Sequence, residues 1–98
     1  MENKMAGDKE NLIENARKIH TTKLGAQRIL KNLSVKFSGE DAQDQAEDFC
    51  RKKILASNCQ ISRRGKNWYC RVDDIEITVN AYSFTVITAH MIWAQRKV

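Results

Sequence analysis

The chain has 98 residues, of which 42% are hydrophobic, and it carries a formal net charge of +5 at pH 7. These figures exclude a multidomain protein and a wholly disordered chain, and the basic balance favours anionic partners, nucleic acid first. The N-terminus has no apolar signal core and no apolar run is long enough to span a bilayer, so we expect a cytoplasmic protein without a membrane partner.

The first predicted element is a helix from about Lys9 to His20, with Asp8 at its cap position. We expect residues 1–7 to be a disordered tip, so that a single domain covers residues 8–98. The inner face of the helix is marked by apolar residues at helical spacing, which are Leu12, Ile13, Ala16 and Ile19.

A second helix is predicted from about Lys23 to Leu33, and either Thr21 or Thr22 can cap it. Gly25 costs this helix roughly 1 kcal/mol relative to alanine, so its presence indicates close packing or a ligand. The expected inner face consists of Leu24, Ile29, Leu30 and Leu33.

A third helix is predicted to end near Leu55, and Ser38 followed by Asp41 resembles a capping box at its start. Its acidic first half and its basic last turn both suit the helix dipole, which is a sufficient structural reason for that charge pattern. The expected inner face consists of Ala42, Ala46, Phe49, Cys50 and Ile54.

Beyond Asn58 the apolar period changes from helical to alternating, which indicates strands. The short connections between the strands favour antiparallel hairpins. The predicted fold class is therefore α+β, with about three N-terminal helices packed on one face of a four-stranded antiparallel β-meander. The four predicted strands are Cys59–Arg63, Trp68–Asp73, Ile75–Asn80 and Phe84–Met91.

Strand alternation assigns the side chains to two faces of the sheet, although a one-residue bulge would exchange some of them. The face toward the helices is expected to carry Cys59, Ile61, Trp68, Cys70, Val72, Ile75, Ile77, Val79, Ile87, Ala89 and Met91. The outer face is expected to carry Gln60, Ser62, Arg64, Tyr69, Arg71, Glu76, Thr78, Asn80, Val86, Thr88 and His90. Such groups bind phosphate or stack on bases, but a solvated outer face is also polar.

Three cysteines, Cys50, Cys59 and Cys70, are widely spaced and form no CxxC or Cys/His ligand pair. A zinc site is therefore not expected, and neither is another metal or a cofactor. The pattern is typical of reduced, mostly buried thiols.

The outer face offers the groups that RNA cleavage without a metal requires. Such cleavage needs a base, an acid, cations on the phosphorane and aromatic rings for the flanking bases. We expect His90 to act with either His20 or Glu76 as the acid–base pair. The same segments can also have purely structural roles: His20 as a helix end, His90 as an edge-strand residue and residues 63–67 as a basic turn. The predicted phosphate- and RNA-binding residues are Arg63, Arg64, Lys66, Tyr69, Arg71 and Asn80.

Two resemblances add to this interpretation. A family of short bacterial proteins of unknown function resembles the chain over roughly residues 12–92, in the blocks "KIHTTKLGAQRIL", "RRGKNWY" and "ITVNAYSFTVITAH". More loosely, helices followed by a meander that ends in "TVITAH" resemble the barnase–EndoU–colicin–RelE type of RNase fold, which includes toxins of toxin–antitoxin pairs. That second resemblance implies RNA binding on the exposed sheet face, and it matches best at His90, Thr88, Arg64 and Arg71.

Two functions are therefore predicted as alternatives. The first is a metal-independent endoribonuclease or translation-targeting toxin. The second is a non-catalytic module of a bacterium or mobile element that binds nucleic acid or inhibits a partner protein. The expected partners are RNA or another nucleic acid and an antitoxin or other protein, with a homodimer through the last, edge strand as a further option. The enzyme requires an exposed His90 within about 8 Å of Arg64, Arg71 or His20.

Overall fold

The computed structural model describes residues 4–34 and 41–92, with side chains from Lys9 onward. Its four strands form one sheet in the order β1-β2-β3-β4, and each neighbouring pair is antiparallel. The α+β class and the four-stranded meander are thereby confirmed. The elements in these ranges are α1 (Lys4–Glu14), a 3-10 helix (Ala16–Lys18), α2 (Lys23–Asn32), α3 (Ala42–Leu55), β1 (Gln60–Arg64), β2 (Asn67–Val72), β3 (Ile75–Asn80) and β4 (Val86–Met91).

Helix α1 lies earlier in the chain than the apolar periodicity predicts. It starts at Lys4, so the predicted disordered tip is helical from this residue, and residues 1–3 lie outside the described ranges. Asp8 therefore lies inside the helix and not at its cap position. No helix within the described ranges is both long enough and apolar enough to cross a bilayer.

The end of α1 has a local cause. The helix stops at Glu14 and not at His20, because Asn15 Nδ2 donates to the Asn11 carbonyl oxygen at 2.8 Å and the chain then tightens into the 3-10 helix. The chain is extended at Ile19 and enters β-type pairing with the sheet at His20.

Helices α2 and α3 lie close to their predicted positions. Thr22 caps α2 by accepting a hydrogen bond from the Gly25 amide at 3.0 Å. Leu24 was predicted to face inward but is 70% exposed. The cap position of α3 is Asp41, which makes no side-chain cap bond, and Ser38 of the predicted capping box lies outside the described residues.

One face of α3 holds the connection between α1 and α2 through hydrogen bonds from side chains to backbone. Gln43 Nε2 donates to the Thr21 carbonyl oxygen at 2.8 Å, and Glu47 accepts from the Thr21 amide at 2.9 Å. Arg51 donates to two carbonyl oxygens of the connection at 3.1 and 2.9 Å. The four-residue spacing places all three side chains on one helix face, where they satisfy backbone groups of the connection between the two α-helices.

The core lies between the helices and the predicted inner face of the sheet. Trp68 is fully buried there, and its ring packs against Phe84 at a centroid distance of 5.5 Å. Ile13 departs from prediction, because it is 38% exposed. The largest fully buried side chains besides Trp68 are Leu12, Ile19, Ile29, Leu30, Ile54, Ile77 and Val79.

Strand β4 departs from strict alternation at one residue. Val79 pairs with Val86 and Thr78 pairs with Thr88, so Ile87 is an extra residue that forms a bulge. Val86 is consequently buried and Ile87 is 50% exposed. The predicted faces of these two residues were wrong, whereas the residues after the bulge keep their predicted alternation.

The free edge of β4 is covered by the chain itself. The His20 amide donates to the Phe84 carbonyl oxygen at 3.1 Å, and its carbonyl accepts from the Val86 amide at 2.7 Å. Further along, Asn32 Nδ2 donates to the Ala89 carbonyl oxygen at 3.3 Å. These bonds occupy the Val86 amide and the Ala89 carbonyl of β4, and the predicted dimer through the last strand stays a prediction.

Candidate functional site

Three ionisable side chains form one cross-strand row on the outer face of the sheet. Arg71 lies opposite Glu76, and Glu76 lies opposite His90. Arg71 Nε donates to Glu76 Oε2 at 3.0 Å, and His90 Nε2 lies 3.6 Å from Glu76 Oε1. The structure therefore brings the predicted His90–Glu76 pair together with a predicted phosphate ligand.

The members of this row differ in their access to solvent. The side chain of Glu76 is 14% exposed, that of His90 is 26% exposed and that of Arg71 is 60% exposed. Arg71 uses Nε for the carboxylate, so the rest of its guanidinium can reach a phosphate oxygen. When His90 is protonated, the row carries one net positive charge, which favours an anion.

A second row lies beside the first and ends in an aromatic stack. Tyr69 lies opposite Thr78, which in turn lies opposite Thr88, and the guanidinium carbon of Arg64 lies 4.5 Å from the Tyr69 ring centroid. Thr88 thus shares the outer face with His90, as predicted. A surface cavity of about 350 Å³ lies over the β1–β2 side of the two rows and is lined, among others, by Ser62, Arg64, Tyr69, Arg71 and Glu76, whereas His90 and Thr88 lie outside its lining.

His20 does not reach this site. Its Nδ1 lies 2.8 Å from the Lys18 carbonyl oxygen and must donate to it, so the neutral ring accepts at Nε2 from the Thr85 hydroxyl at 3.2 Å. Thr85 and His90 are five residues apart along extended chain, or roughly 16 Å. The predicted alternative pairing of His20 with His90 is therefore not formed.

Three other predicted RNA ligands lie around the turns at one end of the sheet. Arg63 turns away from Arg64, and its guanidinium carbon lies 5.6 Å from the ring centroid of the buried Trp68. Asn80 Oδ1 accepts from two amides of the β3–β4 turn at 2.9 Å, so it holds the backbone. Lys66 is exposed in the β1–β2 turn, beyond the two rows.

The cysteines are buried free thiols, as predicted, and their environment is that of a core. Burial raises the pKa of the Cys50 thiol to about 12. A hydrogen bond with Cys59, followed by burial, raises the pKa of Cys70, and the same hydrogen bond lowers the pKa of Cys59. Buried groups with raised pKa values are poor nucleophiles, so Cys50 and Cys70 are not candidates for catalysis.

The direct contact between Arg71 and Glu76 could have been found in the sequence. A two-residue turn at Asp73 and Asp74 places residue 72 opposite 75, and therefore Arg71 opposite Glu76. Opposite charges at such positions attract each other. The structural roles of Gln43 and Glu47 had no comparable sequence signal, because they depend on how α3 packs.

A protein-family model described as "Protein of unknown function (DUF3781)" matches residues 13–90. The match begins inside α1, ends at His90 and includes the whole Arg71–Glu76–His90 row. It agrees with the predicted resemblance to a family of unknown function over roughly residues 12–92. Neither the curated proteins nor the solved structures gave a match, so the RNase resemblance stays a prediction.

Proposed function

The chain belongs to the DUF3781 family, and we propose that it binds single-stranded RNA on the outer face of its sheet and cleaves it without a metal ion. The observation that carries this proposal is the Arg71–Glu76–His90 row. A carboxylate, an imidazole and a guanidinium are the base, acid and cation that the reaction requires, and here they lie side by side on one surface.

In the proposed reaction Glu76 takes the proton of the ribose 2′-hydroxyl, and the 2′-oxygen attacks the adjacent phosphorus. The bond between phosphorus and the 5′-oxygen breaks as the His90 imidazolium donates its proton to that oxygen. The products are a 2′,3′-cyclic phosphate and a free 5′-hydroxyl, and solvent then removes the proton from Glu76 and returns one to His90. Arg71 stabilises the non-bridging oxygens of the phosphorane.

The contact between Glu76 and His90 must open for this reaction, because the base and the acid act on opposite sides of the phosphorus. His90 is the member that moves, since it lies 3.6 Å from the carboxylate and has no shorter contact with it. Glu76 stays in place because Arg71 holds its other oxygen at 3.0 Å. Contacts between catalytic groups commonly rearrange between free and bound enzymes.

The neighbouring row supplies a place for a base. The Arg64–Tyr69 stack presents a cation and an aromatic ring at the edge of the cavity. A volume of about 350 Å³ is within the range of small-molecule sites, so a nucleotide can be accommodated. Stacking on such groups is tolerant of sequence, so we expect weak base preference.

A non-catalytic RNA-binding role is the second candidate. Both carboxylate oxygens of Glu76 are engaged, so the row is also a self-contained structural network. In a binding protein the cations Arg64 and Arg71 should matter more for function than His90. RNA would be retained without cleavage at any pH.

The deciding experiment is an RNA cleavage assay with labelled single-stranded RNA in EDTA at several pH values. We expect His90→Ala and Glu76→Gln each to lower the cleavage rate by at least ~100-fold while RNA affinity is largely kept. The matched controls are His20→Ala, which removes the other histidine, and Glu14→Gln on the exposed side of α1. Both controls should cleave at nearly the wild-type rate.

Growth of a bacterial host that expresses the chain gives a second readout. If cleavage reaches cellular RNA, expression should slow growth and His90→Ala should relieve the effect, as expected of a toxin held in check by an antitoxin partner. Cleavage that is equal in wild type and His90→Ala would contradict the enzyme proposal. Binding without cleavage would establish the second candidate.

A further inference from the structure

The turn between β3 and β4 presents an exposed aromatic side chain on a fixed backbone. Tyr82 is 72% exposed. Asn80 Oδ1 accepts from the Tyr82 and Ser83 amides, both at 2.9 Å. The Ala81 amide donates to the Lys66 carbonyl oxygen at 2.7 Å, which ties this turn to the β1–β2 turn. Because the backbone of this turn is already fixed, a ligand that stacks on Tyr82 has only the side chain to order.

Behind Tyr82, a series of cations and aromatic rings leads back to the core. The guanidinium carbon of Arg63 lies 5.7 Å from the Tyr82 ring centroid and 5.6 Å from that of Trp68. Trp68 packs on Phe84, and Lys18 Nζ lies 5.7 Å from the Phe84 centroid. We call this set the Tyr82 ladder. Its two ends, Tyr82 and Lys18, are exposed, whereas Arg63 and Phe84 are half-buried and Trp68 is buried.

The backbone beneath the ladder is strained. Phe84 has a φ of 61°, in the left-handed region that a bulky side chain seldom adopts. The surroundings hold it there, because its amide donates to the Asn80 carbonyl oxygen at 2.9 Å and its carbonyl accepts from the His20 amide at 3.1 Å. Backbone strain that is held by its surroundings clusters at binding sites, so this turn is a candidate for one.

The position of the turn suits the path of an RNA strand. Glu76 and Asn80 are four residues apart in β3, or roughly 13 Å, and Tyr82 lies just beyond. The exposed cations Arg64 and Lys66 lie at the same end of the sheet. Arg63, against which Tyr82 lies, is on the helix side of the sheet, so a strand held at the Arg71–Glu76–His90 row reaches Tyr82 by passing round this end of the sheet, over a few nucleotides.

We propose that Tyr82 is a stacking site for a nucleobase of single-stranded RNA, a few nucleotides from the phosphate at the Arg71–Glu76–His90 row. This inference rests on the proposed function. The base stacks on the ring face away from Arg63, and the guanidinium strengthens the stack from behind. The site therefore increases the affinity for RNA that is long enough to reach Tyr82 and leaves the affinity for a very short RNA unchanged.

The test compares the binding of end-labelled oligouridylates of three and nine nucleotides by fluorescence anisotropy, with His90→Ala in every variant to prevent cleavage. We expect Tyr82→Ala to weaken binding of the nine-nucleotide RNA by about tenfold and to leave the three-nucleotide RNA unchanged. Tyr82→Phe, which keeps the ring, should bind both as its parent does. Leu24→Ala is the control, because Leu24 is 70% exposed on α2.

The outcomes separate this inference from the proposed function. If Tyr82→Ala binds the nine-nucleotide RNA as its parent does, or if Tyr82→Phe is as weak as Tyr82→Ala, the stacking site is overturned while RNA binding stands. If the parent binds neither RNA, both proposals fail. Photo-crosslinking of a nine-nucleotide RNA containing 4-thiouridine gives an independent check on the protein with Tyr82 intact. Crosslinks at Tyr82 support the site, and crosslinks confined to other segments overturn it.

Discussion

Gly25 lies in the first turn of α2, directly against the side chain of Thr21. A Cβ atom at this position would lie 2.5 Å from Thr21 Oγ1 and 3.0 Å from Thr22 Oγ1. Thr21 is only 2% exposed and its β-branched side chain has little freedom to move. Close packing, which was one of the two predicted explanations for this glycine, is therefore sufficient.

Substitution of Gly25 should destabilise the fold even though alanine is the better helix former. We expect Gly25→Ala to lower the free energy of unfolding by about 1–3 kcal/mol, because the clash outweighs the gain in helix propensity. Urea unfolding of Gly25→Ala, Thr21→Ala and the double variant measures the coupling. Gly25→Ala should lower the free energy of unfolding clearly less in the Thr21→Ala background, where Thr21 Oγ1 is absent. If the losses of the two single variants simply add up in the double variant, the contact between these residues is contradicted.

Asp73 provides a test of pH dependence at a single residue. Hydrogen bonds from Lys53 at 2.8 Å and Asn58 at 3.1 Å lower its pKa in the folded protein. A carboxyl group whose pKa is lower in the folded state stabilises the fold above its unfolded pKa, and this contribution is lost as the pH falls through the folded pKa.

The stabilising effect of Asp73 should therefore be present at about pH 7 and vanish in the acid range, below the usual aspartate pKa. We expect wild type to be more stable than Asp73→Asn in urea unfolding at neutral pH, and the difference to shrink toward about pH 3. Asp74→Asn, in the same turn and also at positive φ, controls for turn geometry. A difference that grows on acidification would contradict this assignment.

At the scale of elements, α3 stabilises the irregular segment between α1 and α2 through Arg51. This side chain spans two carbonyl oxygens, those of Ala16 and Ile19. We expect Arg51→Ala to lower the free energy of unfolding by about 2 kcal/mol, and Arg51→Lys to restore little, because an ammonium lacks the planar fork.

The control for Arg51 is its neighbour Lys52, which is exposed and pairs with Asp48 one turn earlier at 3.1 Å. Such surface pairs contribute little, so Lys52→Ala should change stability by less than about 0.5 kcal/mol. Thermal or urea unfolding of both variants gives the comparison. Equal losses of unfolding free energy in the two variants would mean that the positive charge on α3 stabilises the fold, and not the hydrogen bonds from Arg51 to the segment between α1 and α2.

Sequence patterns predicted correctly those elements whose boundaries depend only on neighbouring residues. The two-residue turn at Asp73 and Asp74 fixes the β2–β3 register, and with it the Arg71–Glu76 contact. The bulge at Ile87 has no such signal, because Val86 and Ile87 are both apolar and only packing decides which is buried. The phase of β4 before the bulge was consequently wrong.

At the scale of the whole molecule, long-range pairing decides which predicted site residues meet. His20 ends up bonded to Thr85 because α1 stops early and the chain then pairs with β4. That position depends on tertiary contacts across 65 residues, which helical periodicity does not encode. The outer-face row needed only neighbouring hairpins, and this is why the His90–Glu76 alternative could be anticipated whereas the location of His20 could not.

A prediction at the scale of the whole molecule concerns the net charge of +5. The effect of this charge on RNA binding depends on where the charged side chains lie. Arg64, Lys66 and Arg71 are exposed on the outer face or at its hairpin end. If these three neutralise three phosphates, the logarithm of the association constant for single-stranded RNA should fall with the logarithm of salt concentration with a slope of about −2. Lys66→Gln should make that slope shallower by about 0.7.

Lys31→Gln is the matched control for this measurement, because it removes the same charge from an exposed position on α2. If RNA lies on the sheet, the Lys31 variant should keep the wild-type slope although its net charge is equal to that of the Lys66 variant. The same change of slope in both variants would show that RNA responds to overall charge and not to the outer face. The comparison therefore locates the interface independently of whether the bound RNA is cleaved.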